Sequence, residues 1–184
     1  MKIIITLIAP LLCTFTAFPQ RTSTATSCDY DASKNITHYF VVPYGTTDIP
    51  GKWEKEHYNK VSGQQFFTNK DSISLAIAFQ SYKGYEFNPK GKLKGFDFVK
   101  AFYEWDSKYL IDRYELKRTI LVSDSINRYI IYRIYGKQNQ ASVDTYFLIG
   151  EKNGNTSNFS ISITDKWSEN EKVEFLKKLF LEKN

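Results

Sequence analysis

From Ser72 to Phe79 the chain alternates strictly. Ile73, Leu75, Ile77 and Phe79 are large and apolar, and Ser72, Ser74, Ala76 and Ala78 between them are small. A period of two places the large side chains on one face of a strand, and that face has to be buried. Gln64 to Thr68 precedes this run across the turn residues Asn69-Lys70-Asp71, so the pair predicts a hairpin. A lone hairpin is not stable in water and requires further strands and a covering layer. The chain offers both. Tyr39 to Val42, Tyr114 to Val122, Tyr129 to Tyr135, Val143 to Ile149 and Phe159 to Ile163 all read as strands. The last four are joined by short turns, at Ser123-Asp124-Ser125 and at Lys152-Asn153-Gly154-Asn155 among them, which makes an antiparallel meander the simplest arrangement.

Two amphipathic helices supply the cover. Over residues 96–111, Phe98, Phe102, Trp105 and Tyr109 recur at helical spacing with Ala101 on the same side. Over residues 169–182, Val173, Leu176 and Phe180 form a stripe widened by Phe175 and Leu179, and Ser168 with Glu171 predicts a capping box at its start. Glu169 and Glu171 suit the positive end of that helix, and Lys177, Lys178 and Lys183 the other. The fold class expected is therefore α+β: an antiparallel β-sheet of about six to seven strands covered by two main helices, an α/β/α sandwich. At 184 residues, one domain suffices to bury a core of this kind.

The first twenty residues carry a different signal. Lys2 is followed by an almost wholly apolar run from Ile3 to Phe18, and then by Gln20 and Arg21. This predicts a secretory signal peptide over residues 1–19, cut near Ala17. A single-span anchor is the rival; the run falls short of about 20 residues and Pro10 interrupts it. Residues 20–36, rich in Thr, Ser and Ala, read as a flexible lead-in, and residues 37–184 as the domain. Cys13 would leave with the signal peptide, so Cys28 would have no partner for an internal disulfide. Cys28 is then either a buried thiol or a lipid attachment site, preceded by Ala25, Thr26 and Ser27. The expected location is periplasmic or extracellular, with a membrane-anchored lipoprotein as the alternative, held by its lipid only.

Chemistry is sparse. The net charge of +5 comes from 25 basic and 20 acidic residues, and 20 of the basic ones are Lys. That balance favours solubility and weak attraction for anions, and gives no reason to expect nucleic acid. His38 and His57 are the only histidines and form no ligand pair with a cysteine or acid cluster, so no metal is expected. The chain has no Gly-x-Ser-x-Gly elbow and no Gly-rich phosphate cradle, so neither a catalytic residue nor a cofactor is assigned. Glu54 with Glu56 and Glu104 with Asp106 read as solvated pairs.

Two stretches remain as binding candidates. Ser81 to Gly95 interleaves Lys83, Lys90, Lys92 and Lys94 with Tyr82, Tyr85 and Phe87. It reads either as a long mobile loop that closes over an anionic or ring-bearing ligand through Lys83, Tyr85, Lys90, Lys92 and Lys94, or as a solvated connector between strand and helix. Tyr44, Trp53 and Tyr58, spaced through polar residues, read as interface anchors if exposed; a tryptophan in such a setting is more often core.

The segment Pro50-Gly51-Lys52-Trp53 leads through GKWEKEHYNKVSGQQFF into the alternating strand, and helix, meander and helix follow. This order resembles the PsbP-like, or Mog-type, α/β/α sandwich of small bacterial exported proteins and lipoproteins, including the DcrB group, over roughly residues 38 to 184. The resemblance implies a binding, assembly or accessory role and transfers no catalytic signature. The function expected is an exported bacterial accessory or binding protein without catalytic activity, engaging a partner protein or small ligand in the cell envelope. The alternatives are a hydrolytic enzyme whose residues converge only in three dimensions, and a structural or immunity-type interaction protein. A cleft with two or more strongly shifted titratable groups would favour the enzyme.

Overall fold

The structure is a computed structural model, and it describes residues 24–182. The expected signal peptide, Cys13 and Lys183 lie outside the described residues.

Among the described residues ten strands and two long helices follow one another. The first three strands are β1 (Ala25–Asp31), β2 (Ile36–Val42) and β3 (Gly45–Pro50). β4 (Trp53–Asn59), β5 (Gln64–Asn69) and β6 (Ser74–Ser81) come before helix α1 (Gly95–Tyr114). β7 (Lys117–Asp124), β8 (Tyr129–Gln138), β9 (Ala141–Lys152), β10 (Asn155–Ile161) and helix α2 (Glu169–Leu181) come after it. β1, β2 and β3 form a small antiparallel sheet, and the other seven form a large one in the order β4-β5-β6-β10-β9-β8-β7. The predicted hairpin is β5–β6, and its turn is held by the Asn69 side-chain oxygen, which accepts from the Asp71 and Ile73 amides at 3.0 Å each. The predicted meander is β7 to β10, and its last strand returns to pair with β6 in the middle of the sheet.

The sheet is an antiparallel one covered on both faces, as its patterning demands. On one face α1 lays Phe98, Val99, Phe102 and Tyr103 over Ile130, Tyr132, Ile134 and Ile149. On the other, α2 lays Val173, Leu176, Leu179 and Phe180 over Tyr129, Leu148 and Phe159. Its start is the expected capping box: the Ser168 hydroxyl accepts from the Glu171 amide at 3.3 Å, and Glu171 accepts from the Ser168 amide at 2.7 Å. Among the described residues no helix is long and apolar enough to cross a membrane.

The second face holds one further element: the small sheet lies beside α2 and contributes Tyr39, Val41 and Ile49 to the same core. Two expectations need correction. Residues 25–31 are a strand, where a flexible lead-in was expected; Ala25 to Asp31 pair residue for residue with Val42 to Ile36, which satisfies the backbone of an otherwise polar segment. The helical line Phe98–Phe102–Trp105–Tyr109 is the border of the buried surface of α1 and not its middle. Phe98 and Phe102 are buried, whereas Trp105 is 38% and Tyr109 56% exposed, because Val99, Tyr103 and Ser107 carry the other half of the contact.

Candidate functional site

The lysine-rich loop is a folded element. Its core is Asn88, which is fully buried. The Asn88 amide nitrogen donates to the Tyr82 and Leu93 carbonyls at 3.0 and 3.1 Å, and its oxygen accepts from the Leu93 amide at 2.8 Å. Around it the chain makes two single-turn 3-10 helices, Tyr82–Gly84 and Pro89–Gly91. Tyr82, Tyr85 and Phe87 all turn inward onto Phe98 of α1, with ring centroids 6.1, 5.7 and 5.5 Å away. Edge-to-face and offset contacts of this kind are favourable beyond their buried area. Lys83, Lys90, Lys92 and Lys94 remain exposed. The loop therefore separates the expected ligand set, with Tyr85 inside and the four lysines outside.

The expected interface anchors also part company. Trp53 is only 4% exposed, donates its indole N–H to the Pro50 carbonyl at 2.9 Å, and packs on Trp167 and Phe175. It is core, because it is the one inward-facing residue of the edge strand β4. Tyr44 and Tyr58 come together at the mouth of a cleft of 560 Å³ between the two sheets, beside Tyr39, Phe79, Lys55 and Lys60, and no carboxylate lines it. Cys28 sits opposite Tyr39 on β1, half-buried; burial pushes its thiol up and Lys55 acts against that. His38 pairs with Asp48 across β2 and β3 at 2.5 Å, and His57 stacks on Phe66. Among the described residues no group of three histidines, cysteines or acids is placed to hold a metal.

A second cleft lies on the other face, between α1 and the middle of the large sheet. It measures 520 Å³. α1 supplies Phe102, Trp105, Asp106 and Tyr109, the sheet supplies Phe147 and Asn158, and the loop supplies Tyr85 and Glu86. The reason for the hollow is local: α1 lies over β8 and β9, and on the two strands next to them the same face carries small or polar residues, Asn158 on β10 and Ala76 and Ala78 on β6.

Two polar groups in this cleft are poorly supplied. Asp106 is half-buried and accepts a 2.6 Å hydrogen bond from the Tyr132 hydroxyl. Burial pushes its carboxyl above the ordinary 3.8 and the Tyr132 bond opposes this; no lysine or arginine contributes. Asn158 Oδ1 is buried and has no hydrogen-bond partner. Tyr132, fully enclosed, is held well above its ordinary range by that burial and then by Asp106. Burial likewise raises the Tyr85 phenol, with the Thr156 hydroxyl acting against it. Arg118, which acts on Tyr132, is engaged elsewhere: it donates to Glu104 at 2.7 Å and to Ser107, and lies over the Tyr103 ring.

A carboxyl with a raised folded-state pKa binds more protons in the native than in the unfolded chain. Native stability then falls as pH rises from the ordinary carboxylate range through the raised value. Asp106→Asn removes that loss and keeps an oxygen for Tyr132. It is expected to stabilise the protein at pH 7 by about 0.5–2 kcal/mol, a gain characteristic of residues kept for function. The gain should vanish below pH 3.8. Asp106→Ala instead orphans the Tyr132 hydroxyl and is expected to cost about 1–3 kcal/mol. Urea titrations at pH 7 and pH 3 check both signs; an Asn variant no more stable at pH 7 would show that the carboxylate is not under strain.

Sequence reasoning missed Asp106 by pairing it with Glu104 on a solvated face. The usable signal was its position four residues after Phe102 and four before Leu110, on the apolar side of the helix. Glu104 is exposed, as expected.

The chain matches no protein-family model, and no curated protein matches it. Among solved structures it is similar to the solution structure of cyanobacterial PsbP (CyanoP) from Synechocystis sp. PCC 6803, at 9% identity and a TM-score of 0.44, over 88% of this chain and 93% of that one.

Proposed function

We propose that this chain is an accessory protein of the bacterial cell envelope that holds a small ligand in the α1 cleft without converting it. One observation carries the reading: a solvent-open cleft of 520 Å³ brings an unneutralised carboxylate and an unpaired amide oxygen together between aromatic rings. Export rests on the apolar run from Ile3 to Phe18 and a cut near Ala17. Lipidation at Cys28 fits less well, since a chain starting there would lose Ala25 to Ser27 and their pairing with Phe40 to Val42.

Asp106, Tyr85 and Tyr132 are three shifted groups at one place, which is the observation that favours an enzyme. The direction of the shifts argues for binding. Both phenols move away from neutral pH and toward inertness, and the second carboxylate of the cleft, Glu86, is held by the Trp105 indole N–H, with no imidazole or thiol in the lining. The Tyr44–Tyr58 cleft, with Lys55 and Lys60 and no acid, is the surface we assign to a partner protein that presents negative charge.

The test is native mass spectrometry of the full chain recovered from its own cell envelope. The expected result is a retained small mass that Trp105→Ala releases and that the triple change of Lys90, Lys92 and Lys94 to Ser leaves in place. Release by the lysine changes and retention in Trp105→Ala would move the ligand to the loop and overturn the assignment.

A further inference from the structure

We propose that the group recognised in the α1 cleft is an organic ammonium ion. The proposal rests on the reading of this cleft as a ligand site and adds the chemistry of what enters it. Charge is the first argument. In a chain of net charge +5, the cleft is lined by two acids, Glu86 and Asp106, and by no lysine or arginine. Glu86 is occupied at the rim, where it accepts from the Trp105 indole N–H at 2.9 Å. Asp106 lies deeper, and its single hydrogen bond, from Tyr132, comes from a neutral donor. A carboxylate drawn partly out of water with no counter-charge is costly unless a cation arrives to pair with it.

The rings are the second argument. This protein habitually places its own cations over ring faces: Lys152 over Phe180 at 4.3 Å, Lys172 over Tyr146 at 4.7 Å and Arg118 over Tyr103 at 4.7 Å. Among the described residues no such cation lies over Tyr85, Phe102, Trp105 or Phe147, the inner rings of the cleft. Arg113 lies over Tyr109 at 5.7 Å and bonds its hydroxyl, and so occupies the outermost ring only. Ring faces grouped around a carboxylate are the surroundings that hold an ammonium group, and the attraction grows as the contact is drawn out of water. The third argument is Asn158 Oδ1, a buried acceptor that lacks a donor. An ammonium or substituted ammonium N–H supplies one, and an anion does not.

Two sources carry an ammonium of this kind, a free amine and a lysine side chain, and the probes separate them. The full chain is titrated with phenethylamine, with Nα-acetyl-lysine methylamide, with neutral 2-phenylethanol and with phenylacetate. Binding is read from the Trp105 indole N–H resonance and by calorimetry. The expected result is that one or both amines shift the Trp105 signal and bind about tenfold or more tightly than the alcohol, with phenylacetate weakest. Asp106→Asn, which retains the acceptor for Tyr132 and so the fold, should erase that tenfold preference. Tighter binding of the lysine derivative assigns the ammonium to a protein, and tighter binding of phenethylamine assigns it to a free amine. Equal binding of alcohol and amine overturns the ammonium proposal and leaves the cleft as a ligand site. If no probe moves the Trp105 signal at millimolar concentration, both readings fall.

Discussion

Phe98→Ala is expected to destabilise the protein by about 3–5 kcal/mol, the range for removing a fully buried aromatic side chain. Phe98 is completely inaccessible and sits where three layers of the molecule meet. Beneath it are the sheet residues that α1 covers, and beside it, 6.0 Å away, is the ring of Phe102. Above it are Tyr82, Tyr85 and Phe87 of the loop. The truncated side chain leaves four rings without a common partner, and the surrounding turns are too short to close the gap. The loss should be uneven. Asn88 is held in place by hydrogen bonds that depend on the loop's compact path, so the Leu93 amide, which donates to it, should exchange with solvent far sooner than amides of β9. Trp105 should lose its site as well, because Tyr85 and Phe87 form its neighbours at 6.1 and 5.3 Å. Urea denaturation with hydrogen exchange measures both effects. A loss under 1 kcal/mol with an unchanged Leu93 amide would show that the loop stands independently of α1.

That the loop is built from the inside explains why its function misreads in sequence. Lysines and glycines dominate its composition and suggest mobility, whereas its conformation is set by Asn88 and three rings that meet residues far along the chain. Elsewhere the legible parts are those whose pattern is local. The alternation from Ser72 to Phe79, the Ser168–Glu171 box and the meander turns each declare themselves within about ten residues, and each stands in the structure. β3 does not declare itself. Its sequence Gly-Thr-Thr-Asp-Ile-Pro has one large apolar residue, and its other buried position is Thr47, whose hydroxyl donates to the Leu179 carbonyl at 2.9 Å. Thr37 on β2 is buried in the same way, donating to the Gly51 carbonyl and accepting from the Trp53 amide. Threonines satisfied by distant backbone look polar in sequence and behave as core. β4 hides for the opposite reason: as an edge strand it buries Trp53 alone and leaves six charged or polar positions exposed. The cleft is the least legible feature. It exists because α1 is offset toward β8 and β9, a choice made by side chains on five separate elements.

The contact between α2 and the sheet sets up the other large effect. Gly150 on β9 lies directly beneath the Phe180 ring, and a Cβ placed there would come within 2.3 Å of that ring's Cε2 atom. Its backbone is not in the left-handed region, so the demand for glycine is purely one of space. Phe180 has little freedom to give way. It packs on Tyr129 at 5.5 Å, its carbonyl accepts from Lys152, and the Lys152 ammonium lies over its ring. Gly150→Val is therefore expected to cost about 3 kcal/mol through overpacking, and Phe180→Ala about 3–5 kcal/mol through the cavity it leaves. The two should not add. With the ring gone, a side chain at position 150 fills part of the cavity and favours the strand over glycine, so Gly150→Val in the Phe180→Ala background should be neutral or stabilising. The coupling, read from a double-mutant cycle in urea, isolates one glycine–ring contact as the reason α2 seats at this height on the sheet. Additive losses would mean that the helix is positioned instead by Leu176 and Leu179, with Phe180 free to swing aside.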